Sequence, residues 1–283
     1  MKVKHSTRTI GCIAASFLLG MTGPACVFAD YEVVQVSDGG TIKGAAIWNG
    51  EMPTLPPLKV FADMDVCGET VESPVLQIDP KTKGVRFVLV YLEKVDKGKA
   101  PESKYALHMG KHPAVPTSRT CVFQEHVFAF VRTSQIGITN FDEVLHNPHF
   151  FSERRSSLLN IAMPSPDREV MTQLVRAQGV GVRFQCDVHV HMNGWMAAFS
   201  HPYFAVTDSE GGFELTNVPP GTYMLVAWHE GYDIVSFLSS RPAYDEPHVI
   251  RKQIEVKPNA VVEQQFEFPV RKVEVQWKIA GSE

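Results

Sequence analysis

The sequence predicts an all-β protein of two consecutive β-sandwiches, and three observations carry that prediction. Its apolar residues fall in short runs rich in branched and aromatic side chains. Several runs alternate apolar and polar positions with period 2, the signature of a half-buried strand. Turns containing Pro, Gly and Lys separate them, a pattern that suits a sandwich.

The chain begins with Lys2, Lys4 and Arg8, an apolar run from Ile10 to Leu19, and Val27-Phe-Ala29 with small residues where a signal peptidase reads. Residues 1–29 are therefore expected to be a secretory signal peptide. The apolar run is too short for a membrane span and is followed by Gly20, Gly23 and Pro24. Cys26 follows Gly-Pro-Ala rather than a Leu-containing lipobox, which disfavours a lipid anchor. A soluble periplasmic or extracellular protein with no membrane span is the expectation.

Strands are expected at residues 39–48, 85–92, 122–123 with 127–131, and 136–141. Residues 52–57 and 97–116 are Pro-rich or polar and are expected to be loops. Ser165-Pro166-Asp167 predicts the cap of a short helix reaching Gln173. In residues 179–186, Val180, Val182, Phe184 and Cys186 share one parity, so period-2 alternation points Cys186 into the core. Asp187 and Asn193-Gly194 then turn the chain. The first sandwich is assigned to residues 30–202 and the second to 203–283, with turns at residues 208–212 and 219–221 inside a self-contained hairpin unit.

Cys186-Asp-Val-His-Val-His-Met192 sets a thiolate, imidazoles and a thioether within one short segment. A mononuclear copper centre uses two His and one Cys in a rough plane with a weak axial Met. Upstream, Asn140-Phe-Asp-Glu-Val-Leu-His146-Asn147 offers a further His at the end of a polar turn. A lone buried Cys is more often a small hydrophobe, and a lone His more often a satisfied core or surface residue. Their joint spacing favours copper, while zinc is the main metallic rival and gains little from a thioether.

These residues resemble the cupredoxins, and Cys-x-x-His-x-x-Met is similar to the short copper loop of amicyanin. The resemblance implies His146, Cys186 and His189 as equatorial ligands, Met192 as the axial ligand, and the Asn147 backbone as a donor to the sulfur. His191 and Met196 depart from the single-domain pattern and leave the assignment open by a residue or two. Residues 204–228 resemble the carboxypeptidase regulatory-like domain, a small transthyretin-like sandwich. The order of motifs is similar to exported bacterial proteins labelled methylamine utilization or plastocyanin-like proteins, a label that implies little about substrate.

Five cysteines become three once the leader is removed, an odd number for an oxidising compartment. With Cys186 kept as a metal thiolate, Cys67 and Cys121 are free to pair; the alternative is that both stay reduced and buried. Removing three leader cations from a net charge of −4 leaves −7, which does not suggest nucleic acid as a partner. His126, His149, His191, His201 and His229 remain as further ligand candidates, each more often structural when taken alone.

The leading expectation is one-electron transfer to a redox partner protein, a cytochrome among the candidates. Copper storage or delivery is the first rival, and a metal-free structural binding module the second. No nucleophile elbow, phosphate loop or paired-carboxylate motif supports an enzyme.

Overall fold

A computed structural model describes residues 31–114, 118–164, 166–238 and 241–269. The signal-peptide expectation for residues 1–29 and the last residues of the second unit lie outside them. The fold is all-β, and among the described residues the one α-helix is the single turn Met64–Cys67. No described helix is long and apolar enough to cross a membrane.

Four main sheets stack with three apolar cores between them. One is the three-stranded sheet Glu169–Thr172, Gln135–Asn140 and Lys104–Met109, in that order. The next runs Ser157–Asn160, Pro148–Phe151, Gly179–Cys186, Asn193–Phe199 and Val127–Val131. The third is Phe204–Val206, Leu89–Leu92, Gly221–His229 and His248–Val256. The fourth is Gly212–Val218, Gly40–Trp48 and Val261–Phe268.

Alternation explains how the inner sheets serve two cores at once. Val182, Phe184, Cys186 and Met196 join Leu107, Ile136 and Ile138 in the first core. Ala197 and Phe199 face the other way, against Leu89, Tyr91, Val226 and Trp228. Val90, Leu92, Leu225 and Ala227 turn to the last core with Ile42, Phe213 and Phe266. A strand buried on both faces reads as continuous apolar sequence, which is why Leu89-Val-Tyr-Leu92 is buried throughout.

The expected parity of residues 179–186 holds from Val182 onward and breaks before it. A bulge between Val180 and Val182 puts Val180 against the middle core instead. Gly181 makes this possible: its φ is 73°, and a Cβ there would sit 2.8 Å from the Trp228 ring.

Three local expectations are corrected. Residues 167–173 contain no helix: Glu169–Thr172 is a strand antiparallel to Gln135–Asn140. Residues 97–116 are not all loop, because Lys104–Met109 pairs parallel to the other side of Gln135–Asn140. Both are edge strands: Glu169 and Met171 are exposed on the first and Lys104 on the second, while Leu107 and Met109 are fully buried. The run at 85–92 is regular only over Leu89–Leu92, since Phe87 takes φ 65°. There the Thr207 hydroxyl replaces the ladder, accepting from Val88 N–H at 2.9 Å and donating to Val85 C=O at 2.7 Å.

Hydrogen bonding crosses the boundary drawn at residue 202. Gly40–Trp48 lies between Gly212–Val218 and Val261–Phe268, and Leu89–Leu92 lies between Phe204–Val206 and Gly221–His229. The turn at residues 208–212 therefore joins strands of two different sheets rather than closing a self-contained hairpin. The physical reason is that Leu89–Leu92 and the end of Gly221–His229 are buried on both faces, and residues 203–269 alone cannot cover both.

Cys67 and Cys121 form a disulfide across a sequence separation of 54. In the chain-entropy account a loop of that size contributes about 4 kcal/mol.

Candidate metal centre

Three of the four predicted ligands meet at one end of the five-stranded sheet, and strand register brings them there. Pro148 lies opposite Cys186 in the antiparallel pair, so His146 and Asn147 come alongside the thiol. Beyond Cys186 the chain turns back into Asn193–Phe199. Cys186 N–H donates to Met192 C=O at 2.9 Å and Met192 N–H to His189 C=O at 2.8 Å, which folds His189 over the sulfur.

The two imidazole Nδ1 atoms lie 3.1 Å apart, and each is 3.9 Å from Cys186 Sγ. His146, Cys186 and His189 are 0%, 1% and 1% exposed, so solvent does not reach the donors. Backbone N–H groups of Asn147 and His189 point at the sulfur from 3.3 and 3.4 Å. The first is the donor that the cupredoxin resemblance implies.

Carboxylates set the orientation of both rings. His146 Nε2 donates to Asp142 Oδ2 at 2.8 Å. His189 Nε2 lies 3.0 Å from Asp63 Oδ2, close enough for charge attraction though off hydrogen-bond alignment. A carboxylate at Nε2 favours the tautomer protonated there, leaving bare lone pairs at Nδ1. Two such lone pairs and a sulfur facing one another repel unless a cation lies among them, a proton on Nδ1 in the metal-free protein or a metal ion in its place. Two imidazole nitrogens and a thiolate fit copper, and Cys186 and the two histidines are the residues that would hold it.

The same contacts prepare the thiolate. Burial opposes charge on Cys186, but donors from His146, His189, Asn147 N–H and His189 N–H outweigh it and bring its pKa down to about 6. The sign follows from the depressed value: in the metal-free protein this stabilisation is present above the ordinary thiol range and lost as pH falls through about 6. Burial also opposes charge on His146, yet Asp142 and Cys186 hold its pKa above the usual histidine value.

Met192 and Met196 are 2% and 1% exposed in the same core as Cys186, so burial alone does not choose between the two thioethers. The remaining histidines have other partners. His126 bridges Asn193 C=O and the Glu230 carboxylate, whose other oxygen accepts from Trp195 Nε1 at 2.6 Å. His149 binds Asp187 and Ser157. His191 Nε2 donates to Cys121 C=O at 3.0 Å, and His201 Nδ1 accepts from Tyr203 N–H at 3.2 Å. His229 Nδ1 donates to Glu230 C=O at 2.7 Å. None of them enters the His146–Cys186–His189 cluster.

Asp63 and Asp142 were not among the expected site residues. Asp142 was legible as a carboxylate four residues before His146; Asp63, over a hundred residues from its partner, was not. The disulfide links both to the centre. Cys67 ends the helical turn that Asp63 begins, and Cys121 N–H donates to Asp142 Oδ2 at 2.7 Å. Gly110 leaves the room, since a Cβ there would lie 2.2 Å from the Asp142 carboxyl carbon.

Asp142→Ala removes the group that orients His146 and satisfies Cys121 N–H. Copper affinity is expected to fall about 10–100-fold, read by competition with a chelator. An unchanged affinity would restrict Asp142 to holding the loop.

No protein-family model and no curated protein sequence matches the chain. Among solved structures, a novel purple cupredoxin from Nitrosopumilus maritimus is similar at 15% identity and TM-score 0.26, over 35% of this chain and 100% of that one. The reduced state of a mutant amicyanin is similar at 12% identity and TM-score 0.26, over 39% of this chain and 98% of that one. At that identity and overlap, functional assignment has to come from the ligand geometry described above.

Proposed function

We propose that the protein is an exported mononuclear copper protein that transfers single electrons to and from a partner protein. His146, Cys186 and His189 would hold the copper, with Met192 as the axial ligand that the cupredoxin resemblance implies. The observation that carries this reading is the convergence of two Nδ1 atoms and one thiol sulfur, all buried, with a carboxylate beside each Nε2.

Bound copper would supply a one-electron couple. The chain's part is to keep the donors in place whichever charge they face. Asp142 and Asp63 hold the ring orientations, and two backbone N–H groups stabilise the thiolate. Full burial favours a retained ion over an exchangeable one, which weighs against storage or delivery. It also leaves no solvent-accessible coordination position for substrate, which supports electron transfer without turnover. Leu145 and Val190, each next to a proposed ligand, are 39% and 37% exposed and offer the short route to a docked redox partner.

The visible spectrum of the purified protein with Cu(II) tests the proposal. An intense thiolate-to-copper band is expected; a colourless stoichiometric complex, or tight binding of zinc alone, contradicts it.

The axial assignment has its own test by voltammetry. Met192→Leu should keep the band and raise the reduction potential, because the axial ligand tunes the site rather than making it. Met196→Leu should change the potential much less. The opposite order of effects would move the axial role to Met196.

A further inference from the structure

A second group of ligand atoms lies at the base of the hairpin formed by Ile234–Leu238 and Arg241–Tyr244. Asp233 precedes the first strand, Asp245 follows the second, and His248 opens His248–Val256. One ligand atom from each lies within 4.8 Å of the others. His248 is 8% exposed, and its Nε2 is fully buried without a hydrogen bond, although Asp245 Oδ2 is 3.3 Å away. A buried imidazole nitrogen without a hydrogen bond, with two carboxylates close by, is a polar atom that a metal ion held by all three would satisfy.

We propose that Asp233, Asp245 and His248 form a second metal site for a borderline divalent transition-metal ion, with Zn(II) as the representative probe. An imidazole with two carboxylates suits zinc and its neighbours, whereas calcium and magnesium take oxygen ligands.

The surrounding structure presents these groups. Asp233 N–H donates to Asp245 Oδ1 at 3.0 Å and Asp245 N–H to Asp233 C=O at 2.9 Å, which ties the two ends of the hairpin together. Gly231 permits the approach, since a Cβ there would lie 1.8 Å from Asp245 C=O. Tyr232 stacks on the His248 ring at 4.1 Å and 18°, fixing its plane. Asp233 is exposed, and Asp245 lines a cavity of about 730 Å³ bordered by His191 and Trp195, so an ion has an entry path. Such an ion would pin the hairpin, with its exposed Val235 and Phe237, to the edge of the third sheet.

Zn(II) equilibrium dialysis of the full chain tests the site independently of Cys186. In a Cys186→Ser background, adding Asp233→Asn and Asp245→Asn should lower bound zinc by one equivalent. The same two substitutions in the otherwise unaltered chain should leave the Cys186-dependent Cu(II) spectrum in place, which also reports that the protein folds. Should the double variant fail to fold, zinc-edge X-ray absorption of Cys186→Ser protein decides by the ligands that it shows. Imidazole with carboxylate oxygens, reduced in signal by His248→Gln, supports the site. Unchanged stoichiometry in the Asn variants, or no change in zinc coordination with His248→Gln, overturns it.

Discussion

Cys186→Ser is expected to abolish the intense visible band of the Cu(II)-loaded protein while leaving the fold in place. The band requires thiolate sulfur bound to the metal, and Cys186 is the one free cysteine among the described residues. Serine preserves an acceptor for Asn147 N–H and His189 N–H, so the two donors that now face the sulfur keep a partner. Copper affinity should fall by more than the roughly 10–100-fold that losing an outer partner costs, because a direct ligand is lost. Absorption spectroscopy and chelator competition read the two effects. Survival of the band in the serine variant would sink the ligand assignment, and with it the proposed function.

Truncation after Tyr203 should yield an insoluble or unfolded chain rather than a smaller copper protein. Gly40–Trp48 and Leu89–Leu92 would each lose both neighbouring strands. Ile42, Val85, Val88, Leu89, Val90 and Leu92 are all 0% exposed and pack within or beside the sheets that truncation dismantles. At roughly 1.5–3 kcal/mol for each such side chain, the loss is comparable to the roughly 5–15 kcal/mol that stabilises a whole domain. Glu230, which joins His126 and Trp195 near the metal end of the molecule, would also be gone. A soluble truncated protein with the full-length copper spectrum would show that the first two sheets stand alone. Light scattering and circular dichroism make the comparison.

Legibility followed the range of the interaction. Strands with strong period-2 or continuous apolar character, such as Gly40–Trp48, Val127–Val131 and Gln135–Asn140, could be read locally because their own side chains carry the signal. Glu169–Thr172 and Lys104–Met109 could not: a short edge strand of mixed polarity takes its conformation from the strand beside it, and a Ser-Pro-Asp start looks the same before a helix. The bulge at Gly181 likewise answers to the Trp228 ring, which approaches from another sheet.

By itself, the sequence determined the all-β class and the chemical identity of a Cys186, His189 and His146 donor set. Those properties reside in residue types, short spacings and period-2 alternation, all of which act over a few residues. Only the tertiary structure decided that Pro148 opposite Cys186 brings His146 to the thiol, that Asp63 and Asp142 orient the rings, and that the sheets cross residue 202. These depend on which strands pair and which faces remain to be buried, and a two-faced apolar strand is compatible with more than one partner until the whole chain has packed.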